Sequence, residues 1–249
     1  FVILWIYFCI TTTQAYVQEY ALDKLWLVTK IYLPFYFTLV LINSRKKLLY
    51  LIATIAASLG IIASKGGIFA ITRGFSYRVY GPPATQFEEN NAFAVATLMC
   101  IPLLILCYRE ISNKYIKYMI VLAIPLCVSS AISSWSRGAL LSLGVLALIM
   151  LWHSKRKYLV VPLMLVGVYF VAQQLPDEWY NRMNTIQTYE DDSSAMGRIE
   201  VWKDGLEHTL QHPFVGAGFD GWRAVTRAQL DWHNSFVEMF SEHGFIAFG

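Results

Sequence analysis

Residues 91–108 read NAFAVATLMCIPLLILCY, a run without one charged side chain, followed at once by Arg109. Roughly 20 mostly apolar residues, rising 1.5 Å each, match a hydrocarbon layer about 30 Å thick, so this run predicts a membrane-crossing helix. Pro102 inside it is tolerated, because neighbouring helices re-satisfy the carbonyl that a proline frees. Seven further apolar runs lie outward from it, at 1–13, 26–42, 48–64, 116–133, 138–152, 158–173 and 235–249, the first and last truncated; Pro34, Pro125 and Pro162 fall inside three of them. The composition agrees: 56% of the 249 residues are hydrophobic and 15% charged, where soluble domains carry about 25% charged residues. Mean hydropathy is +0.45. An ordinary cytoplasmic enzyme, a disordered chain and a disulfide scaffold do not fit these values. A net charge of +3 is too small to argue for nucleic acid. Cys9, Cys100, Cys107 and Cys127 all stand in apolar stretches without a Cys-x-x-Cys spacing, and read as small buried hydrophobes.

The arrangement of the charges orients the runs. Three short connections are dense in cations: Arg45-Lys46-Lys47; Arg109, Lys114 and Lys117; and Lys155-Arg156-Lys157. Short cation-rich loops stay in the cytoplasm. Alternation then places 14–25, 65–90, 134–137 and 174–234 outside, and these hold nearly all the acids; Glu110 alone falls in an inside loop. The expected organisation is all-α: a polytopic transmembrane bundle over 1–173 of about seven spans, an extracytoplasmic subdomain over 174–234, and a truncated span over 235–249. The 174–234 segment is too long for a connector. Ser193 or Ser194 can cap a helix there, with Ile199, Trp202, Leu206 and Leu210 as one apolar stripe and Pro213 as the stop. Such a helix lies on the membrane surface or against the bundle. Gly216, Gly218 and Gly221 then predict a tight loop. The chain opens at Phe1 inside one apolar run and stops at Gly249 inside another, so it reads as a piece of a longer protein. Phe1–Ile10 has neither the charged region nor the cleavage site of a signal peptide.

By this topology the helices starting near 91, 138 and 235 point their N-termini outward. Each has a polar start: Asn90-Asn91, Ser136-Arg137 and Asn234-Ser235, with Ser235-x-x-Glu238 as a capping box. Unpaired N–H groups and positive dipole ends at one face suit an anion, most simply phosphate. Arg137, at the first turn of its helix, is either an interfacial anchor beside Trp135 or a phosphate clamp, since a guanidinium pairs bidentately with phosphate oxygens. Arg198, one turn before Trp202, is either a solvated helix charge or a second clamp. His233 precedes a helix N-terminus, whose dipole disfavours a positive ring and favours a neutral imidazole able to accept a proton; the alternative is a histidine bonded to a loop carbonyl. Glu242 and His243 fall within the last run, where ionisable groups are costly and functional by default, although Glu242 can instead serve as a structural partner. His208 and His212 lack a third metal ligand. Asp177-Glu178 and Glu190-Asp191-Asp192 read as solvated acid runs. No P-loop, dinucleotide fingerprint or metal-holding aspartate pair is apparent. Outside a membrane there is no nucleotide supply, so an activated lipid is the natural donor.

The stretches Gly197-Arg198-Ile199-Glu200-Val201-Trp202, His212-Pro213-Phe214-Val215-Gly216-Ala217-Gly218-Phe219, His233-Asn234-Ser235 and Glu242-His243-Gly244, with Ser136-Arg137-Gly138-Ala139 before them, resemble the O-antigen ligase/polymerase superfamily. Tyr80-Gly81-Pro82-Pro83 and Glu88-Glu89-Asn90-Asn91-Ala92 resemble its exosortase A-associated branch of O-glycosylation ligases. The resemblance runs from about residue 45 to the end, and its specificity lies in the order of the motifs. It implies a GT-C-like, metal-independent glycosyltransferase without a cofactor. Such an enzyme moves a glycan from an undecaprenyl-pyrophosphate carrier to an acceptor hydroxyl on lipid or protein, at the periplasmic face of the bacterial inner membrane. Its residues map onto Arg137 and Arg198 for the pyrophosphate and His233 for catalysis, with Trp202, Asn234 and Glu242 as secondary candidates and no metal ligand. A polymerase using a second lipid-linked glycan, a non-catalytic lipid-glycan transporter and a structural membrane protein are the competing functions. A transporter needs charges at several span centres, and the runs 48–64, 91–108 and 138–152 have none.

Overall fold

The structure, a computed structural model, describes residues 1–184 and 193–248. The Glu190-Asp191-Asp192 run lies outside the described residues, as do the side chains of Ser193 and Ser194. Among the described residues eleven helices follow one another: α1 (Val2–Thr13), α2 (Gln18–Leu41), α3 (Arg45–Thr72), α4 (Asn90–Glu110), α5 (Lys114–Ile132), α6 (Arg137–His153), α7 (Lys157–Ala172), α8 (Asp177–Asn184), α9 (Ser193–Gln211), α10 (Trp222–Val225) and α11 (Ser235–Phe248). No strand occurs among the described residues. Helices α2, α3, α4 and α5 are long and apolar enough to cross a membrane, and α7 with α8 passes as one pair bent by 112°. Helices α1 and α6 are apolar but shorter. The protein is an all-α polytopic membrane protein.

Several helices begin or end away from the expected edges. Helix α2 starts at Gln18 rather than 26 and so takes in Lys24, whose ammonium lies 3.6 Å from Asp220 and 3.9 Å from Glu238. Helix α3 runs on through Lys65, Gly66 and Gly67 to Thr72. Asp177 and Glu178 do not sit in an irregular loop: they occupy the first turn of α8, where the helix dipole favours acids. Pro34, Pro102, Pro125 and Pro162 all lie inside helices, as expected. The last run differs most. Gly244 adopts φ 73° and ψ 175°, which breaks α11 and leaves Ser235–His243 as a helix about 13 Å long. This helical segment by itself is shorter than a bilayer is thick.

The chain divides into two compact units, Phe1–Ile42 with Thr188–Gly249, and Asn43–Gln187. The cut therefore does not follow the line between spans and outer segment; α9 packs against α11, and α11 against α1.

In the Asn43–Gln187 unit, α3, α4 and α5 form a bundle whose seam is lined by small residues: Ala56, Ala63, Ala70, Cys100, Cys127 and Ala131 are buried. Small side chains let backbones approach, and van der Waals packing then holds helices together in lipid. At Gly67 a Cβ would stand 2.1 Å from the Leu126 carbonyl oxygen, so only glycine permits this crossing. The Cys100 thiol donates to the Ala56 carbonyl at 3.4 Å. Cys107 is also buried and Cys9 half-buried. Arg45 and Glu110 pair at 2.8 Å, and Lys117 stands over the Tyr108 ring, so the cation-rich connections at 43–47 and 109–117 share one end of the bundle. At the other end the Val79 N–H donates to the Ser133 carbonyl and the Asn90 amide to the Ser134 carbonyl. Both groupings are those the charge alternation predicts.

Candidate functional site

In the Asn43–Gln187 unit, residues 133–137 form a rigid turn ahead of α6. Trp135 takes a left-handed φ of 57°. Its indole N–H donates to the Phe75 carbonyl at 3.2 Å, and its own carbonyl accepts from the Arg182 guanidinium at 2.8 Å. Ser136 caps α6 by accepting from the Ala139 N–H at 3.2 Å. Arg137 is thereby delivered as the first residue of the helix, half-buried, beside a positive dipole end.

The other unit is built around the break in α11. A continuous helix would bond the Phe245 N–H to the Ser241 carbonyl. Here the Phe245 N–H donates instead to the Pro213 carbonyl, while the Ser241 and Glu242 carbonyls accept from the Ala217 and Gly218 N–H groups at 2.9 and 2.8 Å. The His212–Phe219 motif is therefore a backbone splint for a broken helix. Gly244 is required because its φ is positive and a Cβ would meet the Phe214 backbone at 2.6 Å.

Beneath this splint lies a buried polar core. Trp232 is fully buried and donates to the Glu242 carboxyl at 2.9 Å, while the Trp202 indole donates to the Trp232 carbonyl at 2.7 Å. Trp202, Trp232 and Glu242 thus form one chain of hydrogen bonds. The second carboxyl oxygen of Glu242 has no partner among the described residues. The Thr11 hydroxyl lies 2.7 Å from His243 Nδ1 and 3.1 Å from the Phe8 carbonyl oxygen, and His243 Nε2 is buried without a partner among the described residues. Desolvation lowers the His208 pKa, with His212 contributing. Asp204, also buried, accepts from the Arg227 backbone N–H at 2.9 Å and its guanidinium at 2.9 and 3.1 Å.

His233 stands directly on this support. It is exposed at φ 48°, between buried Trp232 and Asn234. Asn234 is the true cap of α11: its side-chain oxygen accepts from the Phe236 and Val237 N–H groups at 3.0 and 3.4 Å. The expected Ser235-x-x-Glu238 box therefore starts one residue late, since Ser235 is already the first helical residue. Glu238 instead faces Lys24 at 3.9 Å. On α9 the packed face is Val201, Asp204, Gly205 and Thr209. Of the expected apolar stripe, Ile199 and Trp202 are half-buried, and Leu206 and Leu210 are exposed. Arg198 is half-buried and makes no hydrogen bond or ion pair among the described residues. Among the described residues no group of three His, Cys, Asp or Glu side chains is placed to hold a metal ion.

The structure brings Trp202, His233, Asn234 and Glu242 onto one scaffold, whereas Arg137 belongs to the other unit. Sequence reasoning passed over Trp232, Thr11, Ser241 and Asp204. A tryptophan next to a candidate histidine was the signal available for the first.

Residues 122–249, just over half of the chain, match a family described as O-antigen ligase. The chain belongs to that family. Residues 1–112 match a second family, of unknown function. No curated protein and no solved structure matches the chain. Membership in the O-antigen ligase family makes this a membrane protein of the ligase or polymerase type of glycan transfer, with lipid-linked glycans as substrates. Arg137, Arg198, His233 and Glu242 all fall within the ligase match. The Tyr80–Pro83 and Glu88–Ala92 motifs fall within the match of unknown function.

Proposed function

We propose that this protein transfers a glycan from an undecaprenyl-pyrophosphate carrier to an acceptor hydroxyl, at the periplasmic face of the inner membrane, as an exosortase-associated ligase. His233 acts as general base. It removes the proton of the acceptor hydroxyl as that oxygen attacks the anomeric carbon. The bond to the carrier breaks, and its diphosphate leaves with the electron pair. Arg137 and Arg198 bind the diphosphate oxygens and balance the charge that develops on them, so the leaving group needs no catalytic acid.

One observation carries this reading. His233 is an exposed imidazole in a strained backbone conformation, held between a fully buried tryptophan and a helix-capping asparagine. Strain of this kind costs about 1–3 kcal/mol and persists where the surroundings over-determine it, as at functional sites. The periplasmic assignment rests on the cationic 43–47, 109–117 and 153–157 connections.

The test is glycan transfer by purified full-length protein, offering protein, lipid and lipid-linked acceptors in turn. Transfer to protein or lipid supports the ligase, and transfer only to a second lipid-linked glycan makes the protein a polymerase. Undiminished transfer by His233→Ala removes the base, and lipid-glycan binding without any transfer leaves a carrier.

A further inference from the structure

The ligase reading does not use a cavity of about 360 Å³ in the Asn43–Gln187 unit, walled by Ile62, Lys65, Phe69, Arg78, Tyr80 and Phe93. Its size lies at the low end for small-ligand sites. Two of its walls are cationic. Lys65 and Arg78 are both exposed, and neither forms a hydrogen bond or an ion pair among the described residues. The Arg78 guanidinium is steadied over the Trp135 ring, 5.5 Å from its centroid. That tryptophan belongs to the turn that delivers Arg137.

The wall is preformed. Val79 is tied to the Ser133 carbonyl at 2.8 Å, Gly81 to the Glu88 carbonyl at 3.1 Å, and Asn90 to the Ser134 carbonyl at 2.7 Å. Glu88 in turn accepts from the Ala84 N–H at 2.8 Å. At Gly81 a Cβ would fall 1.8 Å from the Phe87 carbonyl oxygen, so this loop closes only with glycine there. The Tyr80–Pro83 and Glu88–Ala92 motifs are thus the frame of the cavity.

Depth decides the ligand. Nineteen residues of α3 separate Lys46 from Lys65, a rise of about 29 Å, close to the ~30 Å hydrocarbon thickness. With Lys46 at one interface, Lys65 stands at headgroup level on the other. A soluble anion would gain nothing from Ile62, Phe69 and Phe93, and a neutral ligand would leave two cations unmatched.

We propose that this cavity binds the phosphate of a membrane lipid headgroup, with Lys65 and Arg78 on the phosphate oxygens and the apolar wall against the first carbons of the chain. The phosphate has two available sources, a bulk anionic phospholipid or a polyprenyl phosphate. The site stands or falls apart from glycan transfer, since its test reads binding alone.

Native mass spectrometry of the full chain in detergent, with undecaprenyl phosphate and phosphatidylglycerol as probes and undecaprenol and diacylglycerol as phosphate-free controls, tests it. The expected result is selective retention of the phosphate lipids, weakened tenfold or more in the Lys65→Gln/Arg78→Gln double variant, and kept by Lys65→Arg/Arg78→Lys. Excess phosphatidylglycerol that displaces undecaprenyl phosphate identifies a phospholipid site; persistence identifies a carrier site; either supports a phosphate site. Wild-type retention by the double variant, equal loss of the phosphate-free lipids, or loss by the charge-preserving variant overturns it.

Discussion

Between α3 and α5 the packing depends on what is missing: at Gly67 the helices close onto backbone, along a seam of alanines and cysteines. In the Phe1–Ile42 and Thr188–Gly249 unit the packing depends on polar groups buried and mostly bonded, from Trp202 through Trp232 to Glu242, and from Asp204 to Arg227. The difference follows from what each must hold. A bundle of spans needs only close approach in lipid, where dispersion is the attraction left. A broken helix and an irregular loop carry many backbone groups that must find partners, and a buried group without one costs about 1–3 kcal/mol. The polar unit presents His233 and Arg198, and the apolar one presents Arg137.

The largest effect should come from His233→Ala, which tests whether the polar unit exists to position chemistry. Loss of a general base lowers transfer by about 10²–10⁴-fold, with unchanged donor binding and an unchanged circular dichroism spectrum. Unaltered transfer rates would make His233 a structural residue of the α11 start.

Next come the arginines, one in each unit. Arg137→Lys and Arg198→Lys keep the charge and lose the planar fork. A charge-assisted contact is worth roughly 1.5–3 kcal/mol, so donor affinity should drop by about 10-fold or more in each. Equilibrium binding of a lipid-pyrophosphate glycan measures this, and an Arg198→Lys protein with wild-type affinity would reduce Arg198 to a surface charge.

Gly67→Ala probes the apolar seam itself. Overpacking of this kind costs about 1–3 kcal/mol, and it should lower the midpoint of thermal unfolding. Gly144→Ala, at a position with nothing within 4 Å of an added Cβ, should not lower it. Equal effects at the two glycines would mean that the α3–α5 contact is not what limits stability.

The sequence by itself determined the class, because a lipid interior demands long uncharged segments such as the 91–108 run. It also determined which ends belong together, since cations cluster where loops stay short, and it singled out Arg137, Arg198 and His233 through motif order. Tertiary structure decided what depends on partners distant along the chain. Lys24 became part of α2 only because Asp220 and Glu238 face it. Asn234 rather than Ser235 became the cap. Gly244 broke the last run, which hydropathy alone reads as continuous, because the glycine-rich loop supplies N–H groups to the carbonyls that the break frees. On α9, Leu206 and Leu210 stayed exposed, while Gly205 and Thr209 went inward, since the space beneath Trp232 admits only small side chains. Hydropathy records what each residue prefers as a solvent, whereas these choices turn on which hydrogen-bond partner or which few ångströms of room lie opposite, and only the folded chain brings those into place.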